Sequence, residues 1–316
     1  MLLNLPVFIM FFVGLVLIVK GADWFVESAV WMADSTGIPK IVIGATIVSF
    51  ATTLPELVVS SFASLDGHPG MAIGNAVGST ICNIGLILGT VSLIKPIHIE
   101  RRSFTYKGFM MIVAWMLTFY FSKNHVISSL EGMILLIMSV FYVLINFIEI
   151  QGNKNNHYGI MVSKGNLINC ILKFIIGAAG VFFGANLAVD NGVKIAYIIG
   201  VPERVISLTM IAMGTSMPEL ITSIAATIKG FQSISVGNIL GANILNLLMV
   251  LGSAATINPL KISPQAIIFD FPISLIMMVL LMITGFSDRK IERWEGGILL
   301  SAYLLYLWIL VIIFFD

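Results

Sequence analysis

Stretches of about 20 apolar residues, each long enough to cross a hydrocarbon core of roughly 30 Å, follow one another along the whole chain and leave no room for a separate soluble domain. Of the 316 residues, 58% are hydrophobic and 10% charged, so a water-soluble globule would lack the polar surface to cover itself. Lipid offers no hydrogen bonds to the backbone, and the expected fold class is an all-α membrane protein. Ten spans are expected, at 6–33, 38–65, 71–94, 105–122 and 128–149, then 167–197, 202–228, 233–257, 265–286 and 294–315. The apolar start from Leu2 to Val19 lacks the positive n-region of a signal peptide and runs on through Asp23 and Trp24, so it reads as the first span.

The chain also matches itself at a constant shift of 163 residues, pairing Gly14 with Gly177, Gly21 with Gly184, Glu27 with Asp190, Thr52 with Thr215, Pro55 with Pro218 and Glu56 with Glu219. The register continues through Ser60 and Ser223, Gly67 and Gly230, Gly74-Asn75 and Gly237-Asn238, Gly78 and Gly241, Asn83 and Asn246, and Pro96 and Pro259. Two five-helix repeats are expected, at 1–150 and 167–316, joined by a polar cytoplasmic linker at 151–166. An odd number of spans per repeat makes the second copy enter the membrane from the opposite side, which gives inverted topology and brings equivalent residues together at mid-depth.

The basic residues fix the orientation. With the N-terminus outside, the cytoplasmic loops hold Lys40, Lys95, Arg101, Arg102, Lys107, Lys154, Lys164, Lys229, Arg289, Lys290 and Arg293, while the opposite loops hold only Lys123, Lys194, Arg204 and Lys261. The positive-inside rule therefore places both termini outside. Lys20 and Lys173 are the basic residues expected within spans, and Lys20 with Asp23 reads as a snorkelling or self-neutralising pair. Cys82 and Cys170 fall in or beside apolar helices and suggest neither a disulfide framework nor a metal site. The four histidines, His68, His98, His125 and His157, fall in loops.

The chemistry concentrates where polar residues interrupt the apolar pattern. Ala51-Thr52-Thr53-Leu54-Pro55-Glu56 breaks the second span and Gly214-Thr215-Ser216-Met217-Pro218-Glu219 the seventh. Each proline lacks an N–H, so the carbonyls of Ala51 and Gly214 lose their donor and neighbouring carbonyls loosen. An ionisable group at membrane depth costs at least about 2.5 kcal/mol, and a matched pair marks a functional site. If the two carboxylates meet within about 5 Å, their repulsion is roughly 3 kcal/mol at an effective dielectric near 20, and a cation relieves it. Two carboxylates with backbone carbonyls and hydroxyls make an all-oxygen shell that suits Ca²⁺, and Na⁺ uses the same oxygens. In the third and eighth spans, Ser79 and Asn83 share one helix face and Asn246 is the matching amide; these read as ligands, while Asn75, Asn238 and Asn243 divide evenly between ligation and helix packing. Asp270 has no acidic equivalent in the first half and reads as interfacial.

At these residues the sequence resembles the cation/calcium exchanger superfamily, most closely its short prokaryotic sodium/calcium exchanger members. The resemblance covers essentially the whole chain, with its two alpha-repeats at 44–89 and 207–252. It implies a ten-helix antiporter of the prokaryotic cell membrane, working as a monomer, that exports Ca²⁺ against Na⁺ entry by moving helices 1 and 6 across a fixed core. It further implies that Glu56 and Glu219 hold both ions, that the carbonyls of Thr52 and Thr215 complete the Ca²⁺ shell, and that Thr53, Ser79, Ser216 and the backbone of Ser49 and Ala212 line Na⁺ positions. The sequence departs from the family pattern at Ala242, where a hydroxyl matching Ser79 is expected, and at Ala51, which replaces a glycine. Asn246, aspartate in K⁺-dependent members, implies K⁺ independence. H⁺/Ca²⁺ exchange is the nearest alternative. A passive channel and, from a different class, an intramembrane hydrolase using the two acids are further ones.

Overall fold

The computed structural model describes residues 5–153, 164–199, 214–287 and 290–315, and nearly all of them are helical. The long helices are α1 (Leu5–Thr36), α2 (Lys40–Leu65), α3 (Pro69–Ile94), α4 (Arg101–Ser122), α5 (Ser129–Asn153) and α6 (Lys164–Ile198). The shorter apolar α7 (Met217–Ile228), then α8 (Gln232–Ile257), α9 (Ala266–Phe286) and α10 (Arg293–Phe315) follow. Eight of these, α1 to α6 with α8 and α9, are long and apolar enough to cross a membrane. Two-residue strands pin the connections: β1 (Ile97–His98) pairs antiparallel with β4 (Lys290–Ile291), and β2 (Val126–Ile127) with β3 (Leu260–Lys261).

Local chemistry sets several helix ends. Ser128 and Glu131 form a reciprocal capping box at the start of α5, with the Ser128 N–H donating to Glu131 Oε2 at 2.7 Å. The carboxylate of Glu295 likewise accepts from the Glu292 N–H at 2.7 Å at the start of α10. Gly67 and Gly230 follow α2 and α7 with positive φ of 77° and 84°, the left-handed backbone that ends a helix cheaply only at glycine.

Burial divides the helices into a core and a peripheral slab. The most apolar stretch of α8 is 100% buried and those of α2 and α3 67% and 72%, whereas α1 and α6 reach only 22%. Those two lie against each other through interlocked glycines: a Cβ on Gly14 would stand 2.9 Å from the Gly184 carbonyl, and one on Gly21 2.8 Å from the Gly177 carbonyl. Such backbone-to-backbone contact is what small residues permit in helix pairs.

Three expectations change. Lys107, counted with the loops, is fully buried within α4 and donates to Asn146 of α5, so it joins Lys20 and Lys173 among basic residues carried by the helices. Asp23 pairs with Lys229 at 2.9 Å rather than with Lys20, because the end of α7 brings a second lysine to the same face of α1. The polar linker contributes to the helices at both its ends, since α5 continues to Asn153 and α6 begins at Lys164. Ala212, Lys154, Arg204, Arg289 and most of the linker lie outside the described residues.

Candidate functional site

The site sits where α2, α3, α7 and α8 converge, and glycines make that convergence possible. A Cβ on Gly237 would come within 2.2 Å of the Ile41 carbonyl, and one on Gly241 within 2.5 Å of the Ala45 carbonyl and of Ser49 Oγ. Both carbonyls belong to α2 at or beside Gly44–Val48, which is wound as a π-helix. The Ala45 carbonyl also accepts from the Tyr142 hydroxyl at 2.6 Å. The expected break at Pro55 takes a different form from the one in the sequence reading, because α2 continues as helix from Ser49 through Pro55 to Leu65 and its irregular turn lies earlier, at Gly44–Val48. In the second half Pro218 stands in the first turn of α7, where a missing N–H costs nothing.

Glu56 and Glu219 are each 1% exposed, and the charge of Glu219 acts on Glu56. The halves are stitched by a reciprocal pair of bonds. Thr52 Oγ1 lies 3.1 Å from Asn238 Oδ1, and Thr215 Oγ1 donates to Asn75 Oδ1 at 3.0 Å. Asn75 in turn donates to the Glu56 carbonyl at 3.2 Å and to Ser60 Oγ at 2.9 Å, so a single amide ties the Glu56 turn to the Thr215 turn. Ser216 Oγ donates to Ser79 Oγ at 3.1 Å. Asn83 donates to Asn243 Oδ1 at 3.0 Å. Asn75, Asn238 and Asn243 each bond across helices, which fits the packing reading and leaves the ligation reading untouched.

Several buried oxygens at this convergence are left without a hydrogen-bond partner among the described residues: both carboxylate oxygens of Glu56, Glu219 Oε2, Asn83 Oδ1, Asn246 Oδ1 and Thr53 Oγ1. A buried unpaired polar atom is expensive, and these six belong to residues singled out from the sequence, alongside the unpaired Asn238 Nδ2. Thr52, Ser49, Ser79 and Ser216 are also buried at this convergence. The Ser49 carbonyl accepts from the Thr52 hydroxyl at 3.3 Å, and Ala212 is outside the described residues. The sequence reading missed the π turns. Asn83 and Asn246 each open one, Asn83–Leu88 and Asn246–Val250, so the two amides occupy the same irregular backbone in both halves.

A cleft of about 550 Å³ between α2, α6 and the start of α7 has Pro55, Thr215 and Pro218 on its wall and Asn186, Asp190 and Lys194 toward the end of α6. The equivalent region, reached by the 163-residue shift from Val189 to Val26 and from Val59 to Thr222, is packed shut by Phe25, Val26, Val48 and Ile234.

Fold and site together define a polytopic helical membrane protein with a paired acidic centre. The chain belongs to the sodium/calcium exchanger protein family, which matches residues 6–148 and 170–312. It is 31% identical to the sodium/calcium exchanger MaX1 of Methanosarcina acetivorans, over 96% of this chain and 98% of that protein. It is 34% identical to the inner membrane protein YrbG of Escherichia coli over 92% of each. Among solved structures, the sodium-calcium exchanger NCX_Mj soaked with zero Na⁺ and Ca²⁺ superposes with a TM-score of 0.84 at 31% identity, covering 98% of this chain and 99% of that one.

Proposed function

We propose that this chain exchanges Na⁺ for Ca²⁺ across a prokaryotic cell membrane by alternating access, as a monomer with both termini outside. The observation that carries the reading is the cluster of unpaired buried oxygens on Glu56, Glu219, Asn83 and Asn246. Ca²⁺ takes 6 to 8 oxygens at about 2.3–2.6 Å, and two carboxylates supply the charge that offsets its dehydration. Glu56 and Glu219 hold the ion, with carbonyls of Thr52 and Thr215 and the amide oxygens of Asn83 and Asn246 around it. Thr53, Ser79, Ser216 and the backbone of Ser49 and Ala212 line Na⁺ positions. Relatives named sodium/calcium exchangers support the same pair of ions.

Ten spans in two inverted five-helix repeats complete the reading, with α7 in the seventh span and α10 the tenth. Crosswise contacts support it. Thr52 meets Asn238 while their mates Thr215 and Asn75 meet each other, and Gly14 meets Gly184 while Gly21 meets Gly177. A two-fold axis demands this exchange of partners. Gly21, further along α1 than Gly14, meets the earlier glycine of α6, so these equivalent helices run antiparallel and the axis lies in the membrane plane.

The deciding experiment is Ca²⁺ uptake into proteoliposomes driven by an outward Na⁺ gradient with pH clamped on both sides. Uptake that scales with the Na⁺ gradient is expected. Uptake that ignores Na⁺ and follows an imposed proton gradient instead rejects the assignment.

A further inference from the structure

Among the described residues charge ties the α1–α6 slab to the core twice, Asp34 to Lys40 of α2 at 3.1 Å and the pair Asp23 and Glu27 to Lys229. Lys229, just beyond the end of α7, lies 2.9 Å from Asp23 Oδ1 and 3.0 Å from Glu27 Oε1 of α1, and donates to the Asp23 carbonyl at 3.3 Å. Burial opposes the charge on this ammonium, but the bonds to Asp23 and Glu27 outweigh it and hold its pKa above the usual lysine value. Shifted by 163 residues, Glu27 becomes Asp190 and Asp23 becomes Asn186 on α6, while Lys229 becomes Asp66 at the end of α2. The equivalence of Asp66 and Lys229 is structural as well, since each caps its helix and precedes a positive-φ glycine.

On the Lys229 face Phe25, Val26, Ile43, Val48 and Ile234 pack together, and on the Asp190 face the described residues leave a cleft of about 550 Å³, the counterparts of Ile43 and Val48 at 206 and 211 lying outside the described residues. Closing the open cleft by the symmetric movement would bring Asp66 toward Asp190, two like charges, with Lys194 one turn further along α6 as the nearest basic residue on that wall.

We propose that Lys229 is a positioning residue, a one-sided latch that holds the α1–α6 slab against the core and biases the carrier toward the conformation closed on the Lys229 face and open on the Asp190 face. The inference rests on the exchanger reading only in treating the slab as the part that moves. Its low burial beside a fully buried α8, and the backbone-to-backbone glycine contacts that bind α1 to α6, are what a rigid sliding pair requires.

Accessibility of single cysteines tests it without any transport measurement. Val48 is 1% exposed on the shut cleft, and Val193 lines the open one. In full-length protein in liposomes, a membrane-impermeant maleimide applied from the Lys229 face should label Val48→Cys slowly, and adding Lys229→Gln should speed labelling roughly two- to tenfold, the range spanned by two partly exposed ion pairs. Lys229→Arg should restore the slow rate, and Glu27→Gln should reproduce part of the gain. Labelling of Val193→Cys from the other face should fall or hold in Lys229→Gln; a rise on both faces would mean general loosening and would overturn the latch. So would an unchanged Val48→Cys rate in both Lys229→Gln and Glu27→Gln. Cys82 and Cys170 are replaced by alanine throughout, since Cys170 lines a pocket with Glu27, and that cysteine-free chain with and without Lys229→Gln is the blank. If labelling behaves as expected while Na⁺ fails to drive Ca²⁺ uptake, the exchanger reading falls and the latch stands; the reverse pattern rejects the latch alone.

Discussion

At the scale of residues, the fixed charge proposed for the site is two carboxylates, and three of their four oxygens are buried without a hydrogen-bond partner among the described residues. Either Glu56→Gln or Glu219→Gln removes half that charge while preserving volume. Loss of one charged partner in a buried site costs about 3 kcal/mol or more, so Ca²⁺ uptake should fall at least about 100-fold in each, measured as initial flux at fixed protein content. Near-parental uptake in either would sink the site assignment. Thr53 and Ala242 carry a second prediction. Ser79 and Ser216 bond across the halves, whereas the exchanged positions hold Thr53, whose buried hydroxyl has no partner, and Ala242, which offers none. Ala242→Ser should restore that hydroxyl and lower the half-saturating Na⁺ concentration roughly fivefold, corresponding to about 1 kcal/mol for one oxygen ligand. An unchanged Na⁺ titration would remove position 242 from the Na⁺ path. Both acids and the missing hydroxyl were legible in the sequence, because membrane depth makes any polar residue conspicuous. The partners of Lys107 and Asp23 were not, since they lie on helices distant in sequence and no local pattern names them.

At the scale of elements, helix bounds follow apolar length closely, and most expected spans begin or end within a few residues of α1 to α10. The π turns escaped because one extra residue in a helical turn leaves the apolar content unchanged; only the shared irregularity at Asn83 and Asn246 reveals them. The packing of α8 on α2 rests on the missing side chain of Gly237. A Cβ there would sit 2.2 Å from the backbone carbonyl of Ile41, which no rotamer change relieves. Gly237→Ala should therefore destabilise the fold by overpacking, about 1–3 kcal/mol, and lower the thermal midpoint in detergent by at least about 3 °C. A midpoint equal to the parent's would show that α2 and α8 separate more easily than this contact allows.

At the scale of the whole molecule, the proposed duplication would let so short a chain enclose an ionic site in lipid. Each half carries one buried acid, one amide at a π turn and one bond to the other half, so on the proposed reading neither half closes a shell by itself. Separately expressed halves, 1–150 and 167–316, should show Na⁺-driven Ca²⁺ uptake only when produced together, and uptake by either alone would refute the shared site. The repeat made this division of labour readable in advance, but which face is open was not readable, because the same residues pack both ways and only contacts distant in sequence choose between them.

The glycine contacts between α1 and α6 have a last consequence. In the proposed alternating-access cycle two rods keyed backbone to backbone would travel together, so that uncovering the ions to one aqueous compartment would drag the opposite cover into place. Such a rocker has no posture in which both compartments see the ions at once. A bulky side chain at Gly21 or Gly177 would uncouple the rods, and the membrane would then lose its gradients through the very protein built to spend them one turnover at a time.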